Sequence, residues 1–244
     1  MCQHGSGRAM APATASLSPL AVRDSEKRIS WTFPDTGLAV FHGHPDVPRL
    51  FHYFLPRLVM QAKPVLCLDG ANRFDPLLIA RFARSRASRW PHDGPGQRDD
   101  AAAIFNERLR VARAFTCFQL TELLARAPRW LEKFPARVIV VTALPDLYFD
   151  EDVRDREATA SFERALEALR VLKRLPLTTA VFSDATSIQT PRKRFFAQLL
   201  AQADHVSRFL VGEGDQLALA QEKAPLKGLP ASSAASGVIL RSSA

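Results

Sequence analysis

Residues 37–50, with the sequence GLAVFHGHPDVPRL, decide the fold of this chain. The first five residues form an apolar run of the kind found in buried strands. Gly43 then opens a short loop, and a segment with helical character follows from Leu50 to Gln61. A strand, a glycine-led loop and a helix in this order predict one unit of an α/β domain.

The same alternation of apolar runs and helical patterns continues along the chain. Strands are predicted near 38–42, 64–69, 109–113, 137–142 and 178–183. Helices are predicted near 49–61, 76–86, 117–128, 156–174 and 193–202. Two later runs flank a Gly-Glu-Gly-Asp turn and predict a hairpin near 206–220, followed by a short strand at 237–240. The order predicts a mostly parallel sheet covered by helices, with a C-terminal antiparallel hairpin.

Composition limits the domain organisation and the partners. A length of 244 residues, 47% of them hydrophobic, predicts one core domain, which we place at residues 29–241. Residues 1–28 are rich in Ala, Ser and Pro and are expected to be a disordered tail. The net charge of +8 favours an anionic partner, with nucleic acid ahead of a membrane surface. Scattered cysteines suit a reducing cytoplasm, and no apolar run reaches the roughly 18 residues of a membrane span.

The loop after the first strand has the spacing of a Walker A phosphate loop, G-x-x-x-x-G-K-[ST]. Gly43 occupies the first position of that pattern, whereas Pro48 falls on the second glycine. Arg49 falls on the lysine and Leu50 on the Ser/Thr. The frame of a phosphate loop is therefore present, but most of its chemistry is missing.

Further segments, in order from about Trp31 to Leu240, strengthen this comparison. Residues 64–76 (PVLCLDGANRFDP) combine a strand with an Asp and a Phe-x-Pro ending, and residues 109–124 combine a strand with a helix. Residues 138–148 (VIVVTALPDLY) form another apolar strand and its exit loop. Together these segments resemble the ATPase core of RecA-family recombinases, most closely the RadA branch. The resemblance implies a RecA-like P-loop fold. Members of this family assemble side by side, with nucleotide at the junction between subunits.

The resemblance also assigns positions to the catalytic groups, and this chain lacks them. The metal-binding Ser/Thr is Leu50, the catalytic Glu is Ala71 and the Walker B Asp is Thr142. Arg49 keeps the charge of the phosphate-binding Lys but not its geometry. We therefore expect a degenerate ATPase with no catalytic residue and no cofactor. The alternative is a residual ATP- and magnesium-dependent enzyme that uses Asp69 or Asp184, both near strand ends.

A vestigial nucleotide site would involve Gly43, Asp46 and Arg49. Pro45 and Pro48 carry no N–H to aim at a phosphate, and Asp46 places a negative charge where the phosphate would lie. The same residues favour the start of a helix, because Asp46 can cap it and Pro48 suits its first turn. We hypothesise that Asp46 fills the vacated anion site.

A second candidate site is the basic stretch that follows the strand at 178–183. Arg192, Lys193 and Arg194 could neutralise DNA phosphates while Phe195 stacks on a base, where the family places its second DNA-binding loop. The alternative is a basic helix start whose Phe195, Phe196, Leu199 and Leu200 pack into the core.

Acidic residues and histidines form two other groups. Five acidic residues are expected to form a solvated loop: Asp146, Asp150, Glu151, Asp152 and Asp155. Three histidines lie close in sequence, but their spacing does not favour a zinc site: His42, His44 and His52.

These features predict a non-catalytic RecA/RadA-like accessory or scaffold protein of DNA repair or recombination. Its expected partners are an active RecA-family or other DNA-repair protein, and DNA; an oligomer is compatible with the family's assembly, and a membrane is not expected. A residual ATPase and a basic DNA-binding module are the alternatives.

Overall fold

The computed structural model describes residues 34–61, 63–87, 105, 107–211 and 217–223. Three sequence predictions lie outside these residues: the tail at 1–28, the Gly-Glu-Gly-Asp turn at 212–215 and the strand at 237–240.

Seven strands and five α-helices alternate along the described chain, and we number each kind in order. The strands are β1 Gly37–His42, β2 Val65–Asp69, β3 Leu109–Arg113, β4 Val138–Thr142, β5 Thr178–Phe182, β6 His205–Val211 and β7 Leu217–Lys223. The helices are α1 Val47–Met60, α2 Pro76–Ala87, α3 Cys117–Lys133, α4 Asp155–Lys173 and α5 Arg194–Gln202. A 3-10 helix at Asp146–Phe149, which the sequence did not indicate, follows β4.

The strands form one sheet in the order β3-β2-β4-β5-β1-β6-β7. All neighbouring strands are parallel except β6 and β7, which are antiparallel. The prediction of an α/β fold with a mostly parallel sheet and a C-terminal antiparallel pair is therefore confirmed.

Two helices contain a proline, and both differ in extent from the prediction. Helix α3 continues through Pro128 to Lys133, five residues beyond its predicted end, and Trp130 and Leu131 of this extension pack against the core. Helix α1 begins at Val47, earlier than predicted, with Pro48 in its first turn, and contains Pro56. Tertiary burial of the apolar side chains thus outweighs the local penalty of a proline in the helix.

Helices cover both faces of the sheet, so strands β1, β2, β4 and β5 are buried throughout or nearly so. Alternate residues of a strand point to opposite faces. Leu38 and Val40 accordingly belong to the apolar layer under α3, α4 and α5, whereas Ala39 and Phe41 belong to the layer under α1. Cys67 is fully buried in the second layer.

The carboxyl ends of the parallel strands meet at one edge of the sheet. Strands β1 and β4 both pair with β5, so their ends lie two strand spacings apart, roughly 10 Å. Strand β2 pairs directly with β4, and Asp69 lies opposite Thr142 at the last position of both strands. The segment from Gly43 to Leu50, Ala71 and Thr142 therefore lie at the same edge of the sheet.

Within the described part of the chain, no helix combines the length and the apolar character needed to cross a membrane.

Candidate functional site

The loop after β1 requires a glycine at its first position. Gly43 has a φ of 106°, a conformation that L side chains rarely adopt. A Cβ atom at this position would lie 2.6 Å from the carbonyl oxygen of Phe209 and 2.6 Å from Cγ of Arg208. The loop therefore packs tightly on β6, and Gly43 is explained by this contact without a phosphate.

The backbone amides of this loop are used within the loop itself. The Asp46 N–H donates to Nδ1 of His44 (3.1 Å), and the Val47 N–H donates to the His44 carbonyl (3.0 Å). The Arg49 N–H donates to the Asp46 carbonyl (2.8 Å), while the prolines at 45 and 48 have no N–H. A phosphate loop works by aiming successive amides at the anion, and residues 45–49 have none to aim.

The residues predicted for a vestigial nucleotide site differ from one another in exposure and in hydrogen bonding. Asp46 is half-buried just before α1, but its carboxylate accepts no hydrogen bond from the described α1 amides; His44 accepts an amide of this loop instead. Arg49 is exposed, whereas Leu50 is buried in the apolar layer under α1. Leu50, where the resemblance predicts a magnesium-binding hydroxyl, is thus part of the hydrophobic core.

Ala71 and Thr142, where the resemblance predicts the other two catalytic groups, are hydrogen-bonded to each other. The Ala71 N–H donates to Oγ1 of Thr142 (3.0 Å), and this hydroxyl donates to Oδ1 of Asp69 (2.9 Å). The Asp69 carboxylate is fully buried and also accepts the N–H groups of Arg73 (3.1 Å) and Phe74 (2.8 Å). We call Asp69, Thr142 and the amides of 71, 73 and 74 the Asp69 network.

The Asp69 network leaves little room for a ligand. Gly70 lies so close to β4 that a Cβ atom would be 2.6 Å from the Thr142 carbonyl oxygen and 3.1 Å from Leu147. Nε of Arg113 lies 3.8 Å from Oδ2 of Asp69 and partly balances the buried charge. The carboxylate is therefore enclosed by its own loop, by β4 and by β3.

Asp146 corrects the expectation of a uniformly solvated acidic loop. It is half-buried, and its carboxylate accepts the Ser183 hydroxyl (2.6 Å) and the Asp184 N–H (3.0 Å). Burial, followed by the neighbouring Asp184 carboxylate, raises the pKa of Asp146 well above its ordinary value. The other four members of the group are exposed, as expected: Asp150, Glu151, Asp152 and Asp155.

The first cation of the basic stretch has a structural role. Arg192 is 7% exposed, and its Nε donates to Oδ1 of Asp155 (2.8 Å). Nη1 donates to the carbonyls of Tyr148 (3.0 Å) and Asp150 (2.7 Å), and Nη2 donates to the carbonyl of Val153. The guanidinium thus ties the segment between β4 and α4 to the start of α5.

The aromatic residue predicted to stack on a base is in the core. Phe195 is 1% exposed, and its ring stacks on Phe162 with centroids 4.6 Å apart. Leu199 is also buried, and Phe196 and Leu200 pack against the same layer, which confirms the alternative of a core-facing helix. DNA contact at this turn remains a prediction for Lys193 and Arg194, which are exposed. Arg194 also lies 3.4 Å from Oδ2 of Asp155.

The histidines have separate environments. Nε2 of His42 lies 2.9 Å from Oε2 of Glu222, and both ring nitrogens of His52 contact backbone groups. Across the described ranges, no three His, Cys, Asp or Glu side chains are grouped so that they could hold a metal ion.

Sequence reasoning considered Asp69 only as a metal ligand in the alternative enzyme and missed its structural role. The signal was available in residues 69–72, Asp-Gly-Ala-Asn, directly after a buried strand. An Asp at the start of such a turn commonly accepts the amides of the residues that follow it.

The Asp69 network predicts a specific sensitivity at Thr142. Thr142→Val keeps the shape but removes the hydroxyl, which leaves the Ala71 amide without its partner and removes one of the two hydrogen bonds to Oδ1 of Asp69. We expect a loss of about 2 kcal/mol in the free energy of unfolding, measured by urea denaturation. Thr142→Ser keeps both bonds and loses one methyl, so it should cost about 1 kcal/mol. Equal stability of Thr142→Val and the parent chain would contradict the network.

Substitutions of the adjacent cations Arg192 and Lys193 should have very different effects on the free energy of unfolding. Arg192→Ala leaves three backbone carbonyls without their hydrogen-bond donor and should lower the free energy of unfolding by about 3 kcal/mol. Lys193→Ala removes an exposed side chain and should change it by less than about 0.5 kcal/mol. Thermal and urea unfolding of both variants measure the difference, and similar values for the two would refute a structural role for Arg192.

No family model matches this chain, and no curated protein matches it in sequence.

Proposed function

We propose that this chain is a non-catalytic, RecA/RadA-like pseudo-ATPase that serves as an accessory or scaffold protein in DNA repair or recombination. One observation carries the proposal. The positions that the resemblance assigns to the catalytic Glu and the Walker B Asp, Ala71 and Thr142, are joined by a hydrogen bond and closed over the buried Asp69.

The placement of the degenerate segments supports a common origin in one nucleotide site. They come from three distant parts of the sequence, yet β1, β2 and β4 bring all of them to one edge of the sheet. Groups that act on the same phosphate must converge in this way. Their placement at one edge is therefore compatible with a common nucleotide site.

The positions that the resemblance assigns to hydrolysis do not carry its chemistry in this chain. A magnesium ion needs a hydroxyl from the phosphate loop and an acidic residue on the neighbouring strand. Leu50 offers no oxygen, and the Thr142 hydroxyl already donates to Asp69. Asp69 itself accepts three hydrogen bonds, so metal binding there would require these bonds to break.

The residual-enzyme alternative depends on Asp69 or Asp184, and neither is favoured. Asp184 lies beside the Asp146 carboxyl, whose pKa is raised by burial and then by the Asp184 carboxylate. The Asp184 N–H also donates to the Asp146 carboxylate (3.0 Å), so this pair already forms a structural contact.

The intact part of the domain explains why such a chain would be retained. Members of the family it resembles assemble side by side with nucleotide at the junction. A subunit with a closed site would occupy a place in such an assembly without turning over nucleotide. Its effect would then fall on the neighbouring active subunit.

Nucleotide binding is the direct test of the closed site. We expect no saturable binding of ATP below about 1 mM by isothermal titration, with or without magnesium, because residues 45–49 of the loop have no free amide to offer. An active RecA-family protein in the same buffer serves as the positive control. Micromolar affinity that requires magnesium would contradict the proposal and favour the residual enzyme.

The accessory role needs a separate experiment. An active RecA-family recombinase from the same source is assayed for DNA-dependent ATP hydrolysis with increasing amounts of this chain. We expect at least a twofold change in its rate at or below equimolar ratio, because each inserted subunit alters a nucleotide junction. An unrelated basic α/β protein is the control for charge. An unchanged rate, or an equal effect of the control, would reject the accessory role.

A further inference from the structure

The imidazole of His52 bridges two elements next to the Asp69 network. It projects from α1, is 2% exposed and reaches the loop between β2 and α2. Nδ1 lies 2.7 Å from the Arg49 carbonyl oxygen, and Nε2 lies 2.9 Å from the Asp75 amide nitrogen. One small ring therefore joins the helix that follows the Gly43 loop to the segment that follows Ala71.

These partners allow only one form of the ring. A carbonyl can only accept a hydrogen bond, so Nδ1 must carry a proton and donate it. The Asp75 amide can only donate, so Nε2 must present its lone pair. The neutral imidazole satisfies both conditions, whereas the imidazolium places an N–H group against the Asp75 N–H group.

The residue held by His52 is the start of α2. Oδ1 of Asp75 accepts the amides of Leu77 (2.8 Å) and Leu78 (3.1 Å), so its side chain caps this helix. Its backbone amide is the atom held by His52. The histidine consequently fixes the cap of α2 to α1.

The surroundings of the ring favour its neutral form. Phe51 stacks on it with centroids 4.1 Å apart, and Phe74 lies on it at 5.9 Å. The charged groups that face it are Arg49 on α1, Asp75 in the loop and Asp69 at the end of β2. Burial is the largest influence and lowers the pKa of His52 below 6.5, against the opposing effects of the hydrogen bond to the Arg49 carbonyl and of the two carboxylates.

We propose that His52 is a proton-controlled latch, which holds the start of α2 on α1 when neutral and releases it when protonated. Strands β4 and β5 supply none of the ring's hydrogen-bond partners, so we expect them to stay folded. Release would loosen residues 73–75 beside the Asp69 network. It would so regulate the access of ligands to the carboxyl edge of the sheet. The latch rests on local geometry and stands whether or not the accessory role does.

The direction of the pH effect follows from the lowered pKa. The folded state takes up this proton less readily than the unfolded chain, so the latch contributes fully above pH 6.5. The contribution is lost as the pH falls from 6.5 through the lower pKa of the folded state. Release is therefore an acid response.

Amide hydrogen exchange of the full chain at pH 7.5 and 5.0, corrected for intrinsic rates, tests the latch. We expect the protection of the Asp75, Leu77 and Leu78 amides to fall at least about tenfold at pH 5.0. Amides of β4 and β5 should keep their protection. Unchanged protection of Asp75, or an equal loss in β4 and β5, would overturn the proposal.

A matched pair of variants and a titration make the test specific. His52→Gln removes the titrating group, so the ratio of Asp75 protection between the two pH values should approach one. His205→Gln removes another histidine with a lowered pKa, on β6, and should keep the response of the parent chain. If His52→Gln does not fold, the ¹⁵N resonances of His52 in the parent chain decide. Their titration midpoint must coincide with that of Asp75 protection, and separate midpoints would refute the latch.

Discussion

The buried carboxylate of Asp69 is the interaction on which the carboxyl edge of the sheet depends. An ionised carboxylate that is fully removed from water is tolerated only when its oxygens are hydrogen-bonded. Here the donors come from the loop after β2 and from β4, and an arginine of β3 lies beside it. One charge thus fixes three neighbouring strands and the loop between two of them, so the edge is built around a protein anion.

Arg192, like Asp69, holds an irregular segment in place through hydrogen bonds to its backbone. Its guanidinium collects backbone carbonyls from an irregular segment, which would otherwise leave buried acceptors unpaired. Both residues are charged groups whose hydrogen-bond partners are mostly groups of the chain's own backbone.

The sequence predicted the elements well because their signals are local. Five of the strands alternate with helices at clear periodicities, and β3 has the predicted bounds, Leu109–Arg113. The candidate site was harder to predict, because exposure is decided by distant contacts. Arg192 and Lys193 are indistinguishable cations in sequence, and only the position of Tyr148, Asp150 and Val153 separates them. The pairing of Ala71 with Thr142 likewise depends on the register of β2 against β4.

The central place of β1 in the sheet has a consequence for synthesis of the protein. Its neighbours are β5 and β6, and the Leu38 amide is held by Asp204, 166 positions later. An apolar strand made early must therefore wait for almost the whole domain to leave the ribosome before it is paired. Such long-range closure slows folding and leaves the nascent strand exposed to wrong partners. Chaperone dependence during translation is the expected physiological cost of this topology.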